Sequence, residues 1–118
     1  MSTRRACLVG VRKTATTNAG LWLDKFIREQ AEEDRDSGRD LVRAVCDIPV
    51  PAVYSMWFER WQRALQDYGA ECRVAEVAGR MAVGLGQDSV LETSVALHHT
   101  YGVPYVPGSA LKGLAASF

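Results

Sequence analysis

Residues 72–113 read CRVAEVAGRMAVGLGQDSVLETSVALHHTYGVPYVPGSALKG. The first dozen set a period of two. Ala75, Val77, Gly79, Met81 and Val83 share one face, and Glu76, Arg80 and two alanines lie largely on the other, which is the alternation of a half-buried strand. Gly84 to Ser89 is turn-forming. Leu91, Thr93, Val95 and Leu97 then alternate with Glu92, Ser94, Ala96 and His98, so the spacing predicts a second strand and an antiparallel hairpin. Pro104 and Pro107 argue against a regular central strand beyond Tyr101. From about Ser109 the pattern predicts a helix, with Ser109 as its cap and Lys112 in its first turn. A helix start of that kind offers free backbone N–H groups beside a cation, a site for an anion such as a phosphate. Gly108 and Gly113 allow close backbone approach there. The same residues also fit a helix start whose lysine merely faces solvent.

Working back toward the N-terminus, Pro51 to Tyr68 repeats apolar side chains at three- and four-residue steps: Val53, Met56, Trp57, Trp61, Ala64, Leu65 and Tyr68. Pro51 suits a first helical turn and Gly69 a terminator, so a helix is predicted between them. Trp57 and Trp61, one turn apart, either form an aromatic core or stack on nucleic-acid bases. Leu41 to Ile48 is ambiguous between helix and strand. Glu32 to Asp40 is a charge run broken by Ser37 and Gly38, and reads as an exposed loop or a frayed helix end. A first helix is predicted from about Asn18, a good N-cap, to Glu33. Its apolar stripe holds Leu21, Trp22, Phe26 and, by spacing, Leu23 and Ile27, with Lys25 and Glu29 placed to pair on the outer face. Residues 1–17, with Arg4, Arg5, Arg12 and Lys13, read as a flexible basic lead-in.

At 118 residues the length suits one small domain or a piece of a larger one. Fourteen basic and 14 acidic side chains balance to zero, which argues against a free-standing, strongly basic nucleic-acid binder but not against a local basic patch. Cys7, Cys46 and Cys72 are dispersed and odd in number. A disulfide framework or zinc site is not expected, and a reducing cytoplasm fits. The run from Ala6 to Val11 is too short for a signal peptide, and no apolar run is long enough to span a bilayer.

The residues from Gly84-Leu85-Gly86 through Val90-Leu91-Glu92-Thr93 and Leu97-His98 to Tyr101–Gly113 closely resemble the RAMP superfamily of CRISPR effector proteins. The segment Pro107-Gly108-Ser109-Ala110-Leu111-Lys112-Gly113 resembles the superfamily mark. The lead-in before it is similar to the sixth-subunit family of the type III-B Cmr complex. Asn18-Ala19-Gly20-Leu21-Trp22-Leu23-Asp24-Lys25-Phe26 resembles the helix that precedes that family's first strand.

The resemblance implies an α+β chain: N-terminal helices over 18–69, then over 70–118 the opening β-β-α of a ferredoxin-like, RRM-related domain. Relatives continue with further strands and a glycine-rich loop, so the chain reads as the first half of such a protein, truncated at Phe118. The resemblance further implies a cytoplasmic, non-catalytic subunit that binds a CRISPR guide RNA and complementary target RNA and assembles with other Cmr subunits. No cofactor, metal, small-molecule substrate or membrane is implied. The residues expected to contact RNA are Arg80, His98, Gly108, Ser109, Lys112 and Gly113, in a mode that positions the RNA backbone without reading sequence.

An enzyme reading rests on His98 and His99, since histidine serves as acid or base near neutral pH. The pair is adjacent at a predicted strand end, so the two rings are expected on opposite faces, with His98 the better candidate. No nucleophile has a defined relation to them, and the spacing is not that of a zinc site. Gly84-Leu85-Gly86 lacks the rest of a phosphate-binding loop. The resemblance extends to RAMP relatives that process guide RNA with a histidine as acid or base, so the alternatives to the architectural role are a metal-independent endoribonuclease that processes CRISPR RNA, and a non-functional gene fragment.

Overall fold

A computed structural model of the chain describes residues 6–28, 35–86, 88, 89, 91 and 94–118. Arg4 and Arg5, the expected Lys25–Glu29 pair, the acids at 32–34, and Val90, Glu92 and Thr93 of the expected second strand lie at least partly outside these residues. The described residues form four α-helices and no β-strand: α1 (Ala19–Lys25), α2 (Arg35–Cys46), α3 (Ala52–Asp67) and α4 (Gly108–Ala116).

α1 starts where Asn18 leaves helical space, at φ −77° and ψ 122°, and its side chain accepts from the Leu21 N–H. It packs on α2. Leu23, Phe26 and Leu41 form the buried cluster between them, with Leu8, Trp22, Ile27, Val45, Leu91 and Leu97 around it. α2 takes up the region that reads as a charged loop followed by an ambiguous segment. Asp36, Arg39, Asp40 and Arg43 are exposed, while Leu41 is buried and Ala44 and Val45 are half-buried. The charges are the solvated face of an amphipathic helix, and Asp36 and Arg39 pair across 2.7 Å one turn apart. Lys13 donates from Nζ to the Ala44 carbonyl at 2.7 Å, a cation on the last turn of α2 where carbonyls lack helical partners. Residues 6–17 thus carry a 3-10 turn (Ala6–Leu8) and contacts to the body of the chain.

α3 forms as the three- and four-residue period requires, with Pro51 as its N-cap residue and Tyr68 at its C-cap. Gly69 follows at φ +80°. None of its residues is buried. The molecule is elongated, 56 × 34 × 23 Å with a radius of gyration of 17.2 Å, against about 13.5 Å for a compact domain of this length.

The expected β-β-α opening is corrected by the absence of strands among the described residues. Alternation selects which side chains share a face, but a strand also needs a ladder partner, and a two-stranded ribbon is marginal alone. Among the described residues, 72–83 obtain no ladder partner: Val74 is 93% exposed and Met81 56%. One backbone bond, from the Ala96 N–H to the Val83 carbonyl at 2.8 Å, is what joins the two expected strands among the described residues.

Residues 96–105 instead fold back on themselves. The Tyr105 N–H donates to the Ala96 carbonyl at 3.3 Å and the His98 N–H to the Val103 carbonyl at 2.7 Å, flanking an isolated antiparallel bridge between Leu97 and Pro104. That bridge is a non-hydrogen-bonded pair, a position where the N–H that proline lacks is not required. Pro104 therefore tolerates the one pairing that forms.

The helix expected from Ser109 begins one residue earlier. Pro107, at φ −59° and ψ 145°, is the N-cap residue, and no side-chain cap bond is present. Ser109 lies inside the first turn because proline already supplies the extended backbone a cap position needs. All residues of α4 are exposed.

Candidate functional site

The two stretches that resemble the CRISPR family meet in space, and Asn18 joins them. Its Oδ1 accepts from the Leu21 N–H at 2.9 Å. Its Nδ2 donates to the His99 carbonyl at 3.1 Å and to the Thr100 carbonyl at 3.0 Å. One half-buried carboxamide thereby caps α1 and holds a turn 81 residues further along the chain. Gly20 permits the approach from the helix side, since a Cβ there would lie 3.3 Å from Asn18 Oδ1 and 3.7 Å from Leu97.

On the other side, Gly102 sits at φ +66°, where a Cβ would be 2.7 Å from the Ala19 backbone nitrogen. The Gly102 N–H closes the turn onto the His98 carbonyl at 2.7 Å. Val103 and Ala96 are buried beside it.

His98 is half-buried. Its Nδ1 accepts long bonds from the Thr100 and Tyr101 N–H groups, at 3.3 and 3.4 Å. The imidazole stacks on Tyr101 with ring centroids 5.1 Å apart and meets Trp57 and Tyr105 at 6.0 Å. Tyr101 also touches Tyr54 and Trp57 of α3. These contacts dock α3 by an aromatic edge on the turn. Trp57 and Trp61 continue that edge, nearly parallel at 11° with centroids 5.9 Å apart, and remain 37% and 46% exposed. They form a half-open aromatic surface, neither a closed core nor an isolated pair. His99 is exposed while His98 is not, so the adjacent rings face different surroundings.

The expected RNA-contacting residues fall into three places. His98 lies in the aromatic cluster. Gly108, Ser109, Lys112 and Gly113 lie together on exposed α4, and a Cβ placed at either glycine would meet open space beyond its chain neighbours and the helix's own backbone among the described residues. In the first turn of α4 the Ala110 and Leu111 N–H groups already donate to the Pro107 carbonyl, so the donors facing outward there are those of Gly108 and Ser109. Arg80 is exposed in the 72–83 segment, which forms no strand. No hydrogen bond or ring contact among the described residues links these three places. The role of Asn18 as a clasp, and the aromatic continuity from Trp61 to Tyr105, were missed by the sequence reading. A cap residue whose side chain has two spare donors was the one local signal for the clasp.

Among the described residues no cluster of three metal-ligating side chains occurs, and no helix is long and apolar enough to cross a membrane.

Sixty-two residues, 52% of the chain, are 40% identical to the protein described as CRISPR system Cmr subunit Cmr6 of Pyrococcus furiosus. The match covers 18% of that protein's length. No family model matches the chain, and no solved structure matches it. The similarity is thus a partial homology to a Cmr subunit.

Proposed function

We propose that this chain acts in a type III-B CRISPR effector of the Cmr kind, as a non-catalytic, RNA-binding and architectural part of a subunit that assembles with other Cmr subunits, a guide RNA and its complementary target. The observation that carries this reading is the 40% identity to Cmr6 over 62 residues. The geometry supports it at one further point: the two family-like stretches, far apart in sequence, meet through Asn18. The membership of the RAMP superfamily belongs to the same proposal.

The chemistry available suits a polynucleotide backbone and unpaired bases. Exposed Lys112 stands one turn into α4, behind the outward N–H groups of Gly108 and Ser109, an arrangement that favours a phosphate. Arg80 adds an exposed guanidinium. Trp57, Trp61 and Tyr105 offer ring faces on which bases of any identity stack.

Co-expression of the chain with Cmr proteins and a CRISPR array tests the assignment. Recovery of repeat-derived RNA and Cmr subunits with the tagged chain is expected. Recovery of neither would overturn it. Within that reading, Lys112→Ala is expected to weaken RNA binding several-fold at low salt. It should reduce the slope of log affinity against log salt by about 0.7, one phosphate contact on a single strand, and leave stability unchanged. An unaltered slope across a salt series would remove Lys112 from the interface.

The endoribonuclease alternative turns on His98. Its Nδ1 is engaged by two backbone N–H groups and its ring by three aromatic side chains, the surroundings of a turn-forming side chain. His98→Gln is accordingly expected to leave the pattern of RNA products unchanged on a sequencing gel. Loss of a specific cleavage product in the variant would favour the enzyme.

A further inference from the structure

We infer that Asn18 is a positioning residue for RNA contact: its carboxamide sets the 98–105 loop in the conformation that presents His98 and Tyr105. This rests on the RNA-binding reading above and assigns a function to a side chain that touches no RNA itself.

The three bonds of Asn18 have separable roles. Capping needs only an acceptor at Oδ1 for the Leu21 N–H. Holding the loop needs two donors at Nδ2, directed at the His99 and Thr100 carbonyls. The loop between Leu97 and Pro104 is also held by His98 Nδ1, which accepts from the Thr100 and Tyr101 N–H groups, and by ring contacts to Tyr54 and Trp57. It is closed by the His98–Val103 and Gly102–His98 backbone bonds and seated against Ala19 at Gly102. His98 and Tyr101 ride on it and Tyr105 follows directly after it, so the placement of His98 and Tyr101 against Trp57, and of Tyr105 against His98, follows from where the loop is held.

Two substitutions split the roles. Asn18→Asp keeps a strong N-cap and adds a charge that favours a helix start. It also turns two donors into an acceptor facing two carbonyl oxygens, which is repulsive. Asn18→Ser keeps a cap and removes the donors without adding charge. In both, α1 should persist while the loop is released.

The test uses the whole 118-residue chain. Amide exchange, imidazole NMR shifts and binding of a fluorescein-labelled single-stranded oligouridylate are measured for the wild type and both variants. The proposal expects at least about tenfold faster exchange at the His98 and Gly102 N–H groups, with Trp22 of α1 unchanged. The His98 ring shifts should move as the ring leaves Trp57 and Tyr101, and oligouridylate affinity should fall at least about threefold. A purely structural cap would leave the ring shifts in place.

Unchanged exchange at Gly102 in both variants overturns the clasp. A released loop with full RNA affinity overturns the positioning role and leaves the RNA reading standing. A wild-type chain that binds no oligouridylate, with the clasp intact by exchange, overturns the RNA reading and with it this use of Asn18.

Discussion

Gly102→Ala is expected to lower the stability of the chain by about 3 kcal/mol or more. Two penalties add. At φ +66° any residue with a Cβ is held in left-handed space, at a cost of roughly 1 kcal/mol or more. The new Cβ would also lie 2.7 Å from the Ala19 backbone nitrogen and 3.2 Å from Ala19 Cβ. Neither neighbour is a flexible side-chain tip. Relief requires α1 or the turn to move, and either movement strains the bonds of Asn18 to the His99 and Thr100 carbonyls. Gly69→Ala separates the terms, because Gly69 has φ +80° and nothing within 4 Å of an added Cβ. It should cost about 1 kcal/mol. Urea unfolding followed by tryptophan fluorescence measures both. The expected midpoint drop for Gly102→Ala is roughly 1–3 M, several times that for Gly69→Ala. Equal drops would mean that the approach of Gly102 to α1 contributes nothing.

The same contact shows what the sequence could and could not convey. Asn18 reads as a cap from its position before Ala19 and Leu21, and it is one. That its other end donates to carbonyls 81 and 82 residues away is a long-range fact: the two spare donors of the side chain call for partners but do not say where in the chain these lie. α3 is legible because its period, Pro51 and Gly69 agree. α2 is not, because Gly38 weakens helix propensity and its charges, taken in order along the chain, look like a loop. On the helix surface Asp36, Arg39, Asp40 and Arg43 lie opposite Leu41 and Val45, and the amphipathic pattern becomes plain.

The hairpin expectation failed at a different step. Ala75 to Val83 alternates, but alternation cannot name a partner. The partner that Ala96 to His98 finds is Val103 to Tyr105, a few residues on, reached by the turn that Gly102 permits. Short loops close at less entropic cost than long ones. His98 was legible as a residue of interest because it sits beside His99 ahead of Tyr101. Its part as acceptor for its own turn was not, since that depends on how the backbone folds around it. Ser109 misled for a simpler reason: Ser is a frequent cap, but Pro107 occupies the cap position first.

Phe26→Ala is the second large effect expected, about 3 kcal/mol. Phe26 is 7% exposed and shares the buried cluster with Leu23 and Leu41, at 8% and 5%. Trp22 lies flat on its ring, with centroids 3.8 Å apart and planes within 5°. Truncation removes that contact as well as the buried area, a pair term of about 1 kcal/mol. The surrounding side chains are only partly buried, so the gap can fill with water or collapse, and the cost should fall toward the low end for a core phenylalanine. The consequence for α2 is specific. Among its described side chains Leu41 alone is buried, and it is buried against Phe26 and Leu23. Loss of Phe26 should therefore loosen α2 first and expose the backbone after Arg39 and Arg43 to trypsin. Trp61→Ala provides the contrast. Tryptophan is larger, but Trp61 is 46% exposed and its removal should cost about 1 kcal/mol, without new cleavage in α2. Limited proteolysis with mass analysis of the fragments, beside the two urea curves, distinguishes the cases. Faster cleavage at Arg39 and Arg43 in Phe26→Ala alone places the stability of the chain in the α1–α2 contact. Equal cleavage in both variants would place it in the aromatic surface of α3 instead.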